Sequence, residues 1–207
     1  MKKYKIAVLF VVCVILLAAI DQCAKLVIDR CYEADDEALM QVRDCFHIHH
    51  RIHTSTLFDD IIGSGRAYEA QVAFAVLAAA LACGALGFIH KASVFAGLKN
   101  RKKLLFVIML LITATLAIRL IDYLYWGGTH DFICLSTSHF DADGNLKIMH
   151  LSGDINDIYL YLALVLGAVY LVLIIIDWIK FVRSKEEFAG FKNRLKESPE
   201  DPGDAEQ

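Results

Sequence analysis

The chain has 207 residues, of which 57% are apolar, and its formal net charge is -3 at pH 7. This apolar share is too high for an ordinary soluble domain. No basic patch interleaved with aromatic residues points to a nucleic-acid surface. The composition therefore predicts a membrane protein.

Four windows are apolar enough to cross the hydrocarbon core of a bilayer, which takes roughly 20 helical residues. They are Tyr4 to Ile28, Ala67 to Ile89, Leu104 to Trp126 and Ile155 to Phe181. We predict an all-α membrane protein with four transmembrane helices in one domain, residues 1–184. The polar tail, 185–207, is predicted to be disordered.

The distribution of basic residues predicts the orientation. Lysines precede the first window, five basic residues lie around the short loop between the second and third, and six end or follow the fourth. The segments 29–66 and 127–153 contain one lysine between them. By the positive-inside rule both termini are cytoplasmic and these two segments are extracytoplasmic.

The first extracytoplasmic segment contains "CFHIHHRIHTSTLF", residues 45–58, in which apolar and polar residues alternate. This pattern predicts a small β-element between helices 1 and 2. Cys31 and Cys45 also lie in this segment, where oxidation is possible, and the sequence leaves open whether they form a disulfide.

Ionisable residues recur at one predicted boundary of the bilayer: Asp21, Lys25, Arg119, Asp122, Asp131 and Asp154. Such groups are costly at membrane depth and by default functional. For Asp21 and Lys25 the simpler alternative is a local pair whose lysine reaches outward to the interface. One helical turn separates Arg119 from Asp122, and we expect these two to form an ion pair.

Asp131 and Asp154 are the two carboxylates that this pairing leaves over. Gly127 and Gly128 interrupt the third helix before Asp131, while Asp154 alternatively caps the fourth helix. Two carboxylates held close in a partly dry site do not easily both ionise, so one keeps a proton. One can then deprotonate a water while the other protonates a scissile carbonyl, which is aspartic protease chemistry.

Two sequence blocks resemble the lipoprotein signal peptidase family, or signal peptidase II, of four-span membrane aspartyl proteases. The family motif Asp-Gln-x-x-Lys is matched by "DQCAK", residues 21–25. Its Asn-x-x-Asp-Arg block, followed by Gly and Val-Asp-Phe, aligns without a gap to "RLIDYLYWGGTHDF", residues 119–132. The resemblance covers roughly residues 6–181.

Two further blocks match less fully. The family's Phe-Asn-x-Ala-Asp aligns to "HLSGD", residues 150–154, and its Asn-Thr-Gly-Ala-Ala-Phe to "HTSTLF", residues 53–58. Four polar family positions around the proposed site differ: the chain has His53 and Arg119 in place of Asn, Tyr123 in place of Arg and Leu151 in place of Asn. We interpret the chain as a divergent member whose guanidinium has moved one turn along helix 3.

The resemblance implies a catalytic role for Asp131 and Asp154. It implies substrate-binding or supporting roles for Asp21, Lys25, His53, Arg119 and Asp122. The expected substrate is a prolipoprotein cleaved before its diacylglyceryl-cysteine, at the extracytoplasmic face of a bacterial cell membrane. Neither a metal nor an organic cofactor is implied, and a monomer is expected.

Two alternatives remain open at this point. One is a catalytically silent relative that binds lipidated peptides, favoured by the four departures. The other is an extracytoplasmic metal-binding protein that uses strand histidines, of which His47, His49 and His53 would share one face. His50, His130 and His150 lie on the same predicted side of the membrane.

Overall fold

The computed structural model describes residues 2–31, 40–43, 46–53, 67–140, 146–184, 188–190 and 193. Its elements, in chain order, are α1 (Lys2–Cys31), β1 (Met40–Arg43), β2 (Phe46–His53), α2 (Ala67–Phe95), α3 (Lys102–Trp126), β3 (Thr129–Phe140), β4 (Leu146–Gly153) and α4 (Ile155–Arg183). The predicted tail falls largely outside the described residues.

The four long helices confirm the four predicted spans. Each is long and apolar enough to cross a membrane. α2 and α4 begin at the predicted residues, Ala67 and Ile155. Large apolar side chains such as Leu81 and Phe88 are 65% and 74% exposed. Exposed apolar surface of this extent is expected where lipid covers it.

Contacts at both ends show that α3 and α4 run in opposite directions. Arg101, just before α3, forms an ion pair of 2.7 Å with Asp177 near the end of α4. Between the helices lies an apolar core formed by Leu105, Ile108, Tyr170 and Ile174. At the other end α3 leads into the sheet, and α4 begins directly after it.

The strands form one antiparallel sheet in the order β1-β2-β3-β4. β1 and β2 confirm the predicted β-element between the first two helices. The sheet is larger than predicted, because the β3–β4 hairpin between α3 and α4 joins it. Ile133 of β3 pairs with Ile48 of β2 on one side and Gly153 of β4 on the other. Both predicted extracytoplasmic segments thus contribute to a single sheet.

The pairing of β2 with β3 is interrupted by an irregularity. Ile48 pairs with Ile133 and Arg51 with Asp131, so β2 contains one residue more than β3 between these pairs. An extra residue reverses which face the following residues occupy. Residues on the two sides of the bulge therefore do not keep a simple alternation.

Candidate active site

Lys25 stands at the centre of a buried cluster. Its Nζ lies 2.8 Å from Asp21 Oδ2, 2.6 Å from Asp122 Oδ2 and 2.7 Å from Asp154 Oδ2. None of the four residues is more than 1% exposed. The alternative that Lys25 reaches outward to the interface is therefore wrong. The lysine instead joins α1, α3 and the start of α4.

The cluster is stable only if its remaining polar atoms are bonded, since an uncompensated buried charge costs several kcal/mol. Gln22 Nε2 donates to Asp122 Oδ1 at 2.8 Å and to Asp21 Oδ2 at 3.2 Å. The backbone N–H of Asn156 donates to Asp21 Oδ1 at 3.1 Å. Two of these bonds go to oxygens that Lys25 does not bind, Asp122 Oδ1 and Asp21 Oδ1. The third shares Asp21 Oδ2 with Lys25.

The three carboxylates of the cluster are close enough to share one cation. One oxygen from each of Asp21, Asp122 and Asp154 lies within 4.8 Å of the other two. The ammonium of Lys25 contacts all three groups and supplies that positive charge. The geometry therefore describes an ion-paired cluster built from side chains.

Asp154 belongs to the cluster and also caps α4. Its side chain accepts a hydrogen bond from the Asp157 backbone at 2.9 Å, and the Asp157 carboxylate accepts one from the Asp154 backbone at 3.3 Å. This reciprocal capping box confirms the alternative that Asp154 begins the helix. Because one carboxylate oxygen binds the helix, the other is held towards Lys25.

Asp131 lies on β3 beside the strand that leads to Asp154. α3 ends at Trp126, and Gly127 after it has a φ of 69°, which is left-handed and favours glycine. Ser152 Oγ donates to Asp131 Oδ2 at 3.2 Å. Asp154 has an extended backbone and directly follows Gly153, whose partner Ile133 lies two residues after Asp131. Asp131 is 7% exposed and Asp154 1%.

Arg119 does not pair with Asp122 as expected. Its Nη2 donates to Asp157 Oδ1 at 2.6 Å, and its Nη1 donates to Thr129 Oγ1 at 3.1 Å. Asp122 is engaged by α1 instead, because α1 packs on one side of α3 and the start of α4 on another. The partners of Arg119 and Asp122 are thus determined by the helices packed against α3. The spacing of residues along α3 does not reveal them.

Positions 123 and 119, between which the guanidinium was interpreted as having moved, contact different parts of the fold. The Tyr123 hydroxyl donates to Glu69 Oε1 of α2 at 3.2 Å, whereas Arg119 bonds to α4 and β3. The two positions are one turn apart, yet these bonds lead to different parts of the fold. Arg119 therefore has its own set of partners.

The predicted histidine face lies on β2, where the backbone of His47 pairs with Cys134 and that of His53 with Thr129. The side chains of His47, His49, His50 and His53 are outside those described, as is that of Leu151. His130 is buried, with its ring centroid 4.6 Å from that of Trp126.

Several residues of the site were not predicted. Gln22 belongs to the matched Asp-Gln-x-x-Lys motif, so its signal was available. Trp126 Nε1 donates to Gln22 Oε1 at 3.2 Å, and neither this contact nor that of Ser152 has a local sequence signature. Asp157 was recognisable as a helix-capping residue but not as the partner of Arg119. Tertiary packing creates all of these contacts.

Comparisons with known proteins agree with this architecture. A family model described as signal peptidase (SPase) II matches residues 13–177. A solved structure titled "Bacterial membrane enzyme structure by the in meso method at 2.3 A resolution" superposes with a TM-score of 0.51 at 16% identity. The superposition covers 79% of this chain and 87% of that one, and it supports the fold alone. No curated protein sequence matches significantly.

The family match contains every element that builds the site. It begins within α1 ahead of Asp21 and ends within α4 beyond Asp157. The four apolar helices, the buried ion-paired cluster and the two buried aspartates at the sheet end all lie inside it. The chain is therefore a multi-pass bacterial membrane protein that belongs to the signal peptidase II family, the lipoprotein signal peptidases.

Proposed function

We propose that this chain is a membrane aspartyl endopeptidase that removes the signal peptide from lipid-modified prolipoproteins. The cleaved bond precedes the diacylglyceryl-cysteine, and Asp131 and Asp154 are the catalytic pair. The observation that carries the proposal is that both aspartates are buried at one end of the sheet, where Ser152, two residues before Asp154, donates to Asp131. Family membership supplies the reaction class.

The mechanism needs one carboxylate and one carboxylic acid. The carboxylate accepts a proton from a water as the water oxygen attacks the scissile carbonyl carbon. The carboxylic acid donates its proton to the carbonyl oxygen, which gives a neutral tetrahedral intermediate. Collapse of this intermediate breaks the C–N bond, and the leaving amine takes the proton that the first carboxyl group had accepted. The second group recovers its proton from the hydroxyl.

The other predicted site residues support this pair. Lys25 binds Asp154 directly, while Asp21 and Asp122 hold Lys25 in place. Arg119 bonds to residues that flank both aspartates. His53 ends β2 opposite Thr129, two residues before Asp131, where a substrate strand would approach.

The proposed orientation places both termini in the cytoplasm and the catalytic pair at the extracytoplasmic face. The sheet, the ion-paired cluster and both aspartates lie at one end of the helices, and the basic loop lies at the other. The acyl chains of the substrate would remain in lipid while the signal helix lies beside the exposed apolar helices. We propose that the chain acts as a monomer.

Complementation tests the proposal. Cells depleted of their own lipoprotein signal peptidase would express this chain, and mature lipoprotein would be followed by gel shift. Asp131→Asn and Asp154→Asn should each abolish maturation, while Asp177→Asn, the same change at the far end of α4, should retain it. Each variant must fold in detergent for the comparison to count.

Three results would contradict the proposal. Normal maturation by either Asp131→Asn or Asp154→Asn would exclude aspartyl catalysis by this pair. Failure of the folded, unmodified chain to cleave a precursor that it nevertheless binds would favour the silent peptide-binding relative instead. Cleavage that is lost on chelation and restored by a metal would favour metal chemistry.

A further inference from the structure

Arg119 connects the two chain segments that carry the candidate catalytic aspartates. Its guanidinium donates to Asp157, three residues after Asp154, and to Thr129, two residues before Asp131. The side chains of Arg119 and Asp157 are 25% and 26% exposed, so the pair is partly shielded from solvent. Arg119 also interacts electrostatically with Asp122, Asp131 and Asp154.

Asp157 transmits this contact to Asp154. One of its carboxylate oxygens accepts from Arg119 at 2.6 Å, and the other accepts from the backbone N–H of Asp154 at 3.3 Å. In return the Asp154 side chain accepts from the Asp157 backbone at 2.9 Å. A shift of Asp157 would therefore move both the backbone and the side chain of Asp154.

The absence of a side chain at Gly153 leaves room for the Asp157 carboxylate. A Cβ added at Gly153 would lie 2.7 Å from Asp157 Oδ2, closer than non-bonded atoms approach. The family block has alanine at this position and asparagine at the position of Arg119. Arg119 binds Asp157 and the glycine leaves room for it, so these two differences from the family block concern the same residue. They are parts of one local arrangement.

We propose that Arg119 and Asp157 are a positioning pair that sets the orientation of the Asp154 carboxylate relative to Asp131. The inference rests on the proposed catalytic pair and adds the residues that orient it. Neither member takes part in the proposed proton transfers. Their effect passes through the capping box of α4 and through Thr129 at the start of β3.

The fold offers a matched control pair. Arg101 and Asp177 form a second ion pair between the α3 region and α4, at 2.7 Å against 2.6 Å for Arg119 and Asp157. Both control side chains are 16% exposed, so this pair is at least as well shielded. It joins the same two helices at the end away from the aspartates. It can affect stability without orienting Asp154.

The test is a double-mutant cycle on each pair, with a lipidated precursor peptide as substrate. Arg119→Ala and Asp157→Ala should each lower kcat on the order of 10- to 100-fold, because misplacing a catalytic group has effects of this size. KM should change by no more than about twofold, and the double variant should be no slower than the slower single one. Arg101→Ala and Asp177→Ala should keep kcat within about twofold, whatever their thermal stability. Arg119→Lys, which keeps the charge beside Asp157, should recover part of the rate.

Three outcomes would overturn the positioning pair. The first is a loss of kcat in Arg119→Ala and Asp157→Ala no larger than that in Arg101→Ala and Asp177→Ala. The second is a double variant whose loss of kcat is the product of the two single losses, which would mean independent roles. The third is measured without turnover: amide hydrogen exchange at residues 154–157 should speed up in Arg119→Ala but not in Arg101→Ala, and unchanged exchange contradicts the pair. An inactive unmodified chain would count against the proposed function, while exchange would still decide the pair.

Discussion

At the scale of single residues, Lys25 has the largest expected effect on stability. Its ammonium is fully buried among three carboxylates. Lys25→Met removes the compensating charge and should destabilise the protein by about 3–5 kcal/mol. The measurement is the free energy of unfolding in detergent. Lys99→Met, an exposed position in the loop before α3, is the control and should change little.

Two causes of this loss of stability can be separated, the uncompensated charge and the lost packing of the lysine stem. If uncompensated charge is responsible, Lys25→Met combined with Asp21→Asn and Asp122→Asn should recover much of the stability, because neutral groups of similar volume replace a buried ionic cluster with little cost. A triple variant as unstable as Lys25→Met would instead point to packing. A stable Lys25→Met protein would contradict the buried cluster itself.

Gly153 gives a second prediction at this scale. Gly153→Ala forces a methyl group against Asp157 Oδ2, at 2.7 Å, and should displace that carboxylate. Overpacking of this kind costs roughly 1–3 kcal/mol. Gly167→Ala, inside α4 with nothing within 4 Å of the added carbon, should stabilise by about 0.5–1 kcal/mol. Unfolding in detergent compares the two, and equal effects would argue against the close contact.

The sequence predicted the members of the site better than their partners. Asp21, Lys25, Asp122 and Asp154 all lie in the cluster, as expected from their shared depth. The pairing of Arg119 with Asp122 was wrong, because helical spacing measures neighbours on one helix only. Which neighbouring helix each side chain meets depends on how α1 and α4 pack around α3. A single sequence does not contain that information in local form.

At the scale of elements, the helices were predictable and the second hairpin was missed. About 20 consecutive apolar residues is a strong signal, and it located all four spans. β3 and β4 are separated by "DADGN", residues 141–145, whose Asp-Gly is a common hairpin turn signal. The signal was present but weaker than that of a span.

The register of this hairpin can be tested with paired cysteines. Thr137 and Met149 are directly opposed in the β3–β4 ladder. Opposed residues in an antiparallel pair have Cα atoms about 4.5–5.5 Å apart, a separation that a disulfide can span. Thr137→Cys with Met149→Cys, in a background without the six native cysteines, should therefore oxidise under mild conditions. Gel mobility with and without reductant measures the bond.

The matched control shifts one cysteine by a single residue. Thr137→Cys with Ile148→Cys places the second thiol on the other face of β4, because Ile148 pairs with Ser138. This pair should stay reduced under the same conditions. Preferential oxidation of the shifted pair would show that the register differs by one residue, which would also move Gly153 relative to Ile133.

At the scale of the whole molecule, the two ends of the helix bundle have different chemistry. One end contains the sheet, the buried cluster and both candidate catalytic aspartates. The other contains the basic loop and the Arg101–Asp177 ion pair. A signal peptide that enters from the membrane would meet the aspartates only at the first end. The orientation of the whole chain therefore decides on which side of the membrane cleavage takes place.

Thiol labelling can determine this orientation. Cys31 is a free, exposed thiol at the end of α1 nearest the sheet. A chain that keeps Cys31 as its one cysteine should react with a membrane-impermeant maleimide in intact spheroplasts. A cysteine-free chain with Lys99→Cys, in the loop between α2 and α3, should react only after lysis. The expectation follows from the basic residues that flank this loop, since Lys and Arg are retained on the cytoplasmic side. The opposite labelling pattern would place the aspartates in the cytoplasm, where a lipidated precursor anchored at the outer face would not reach them.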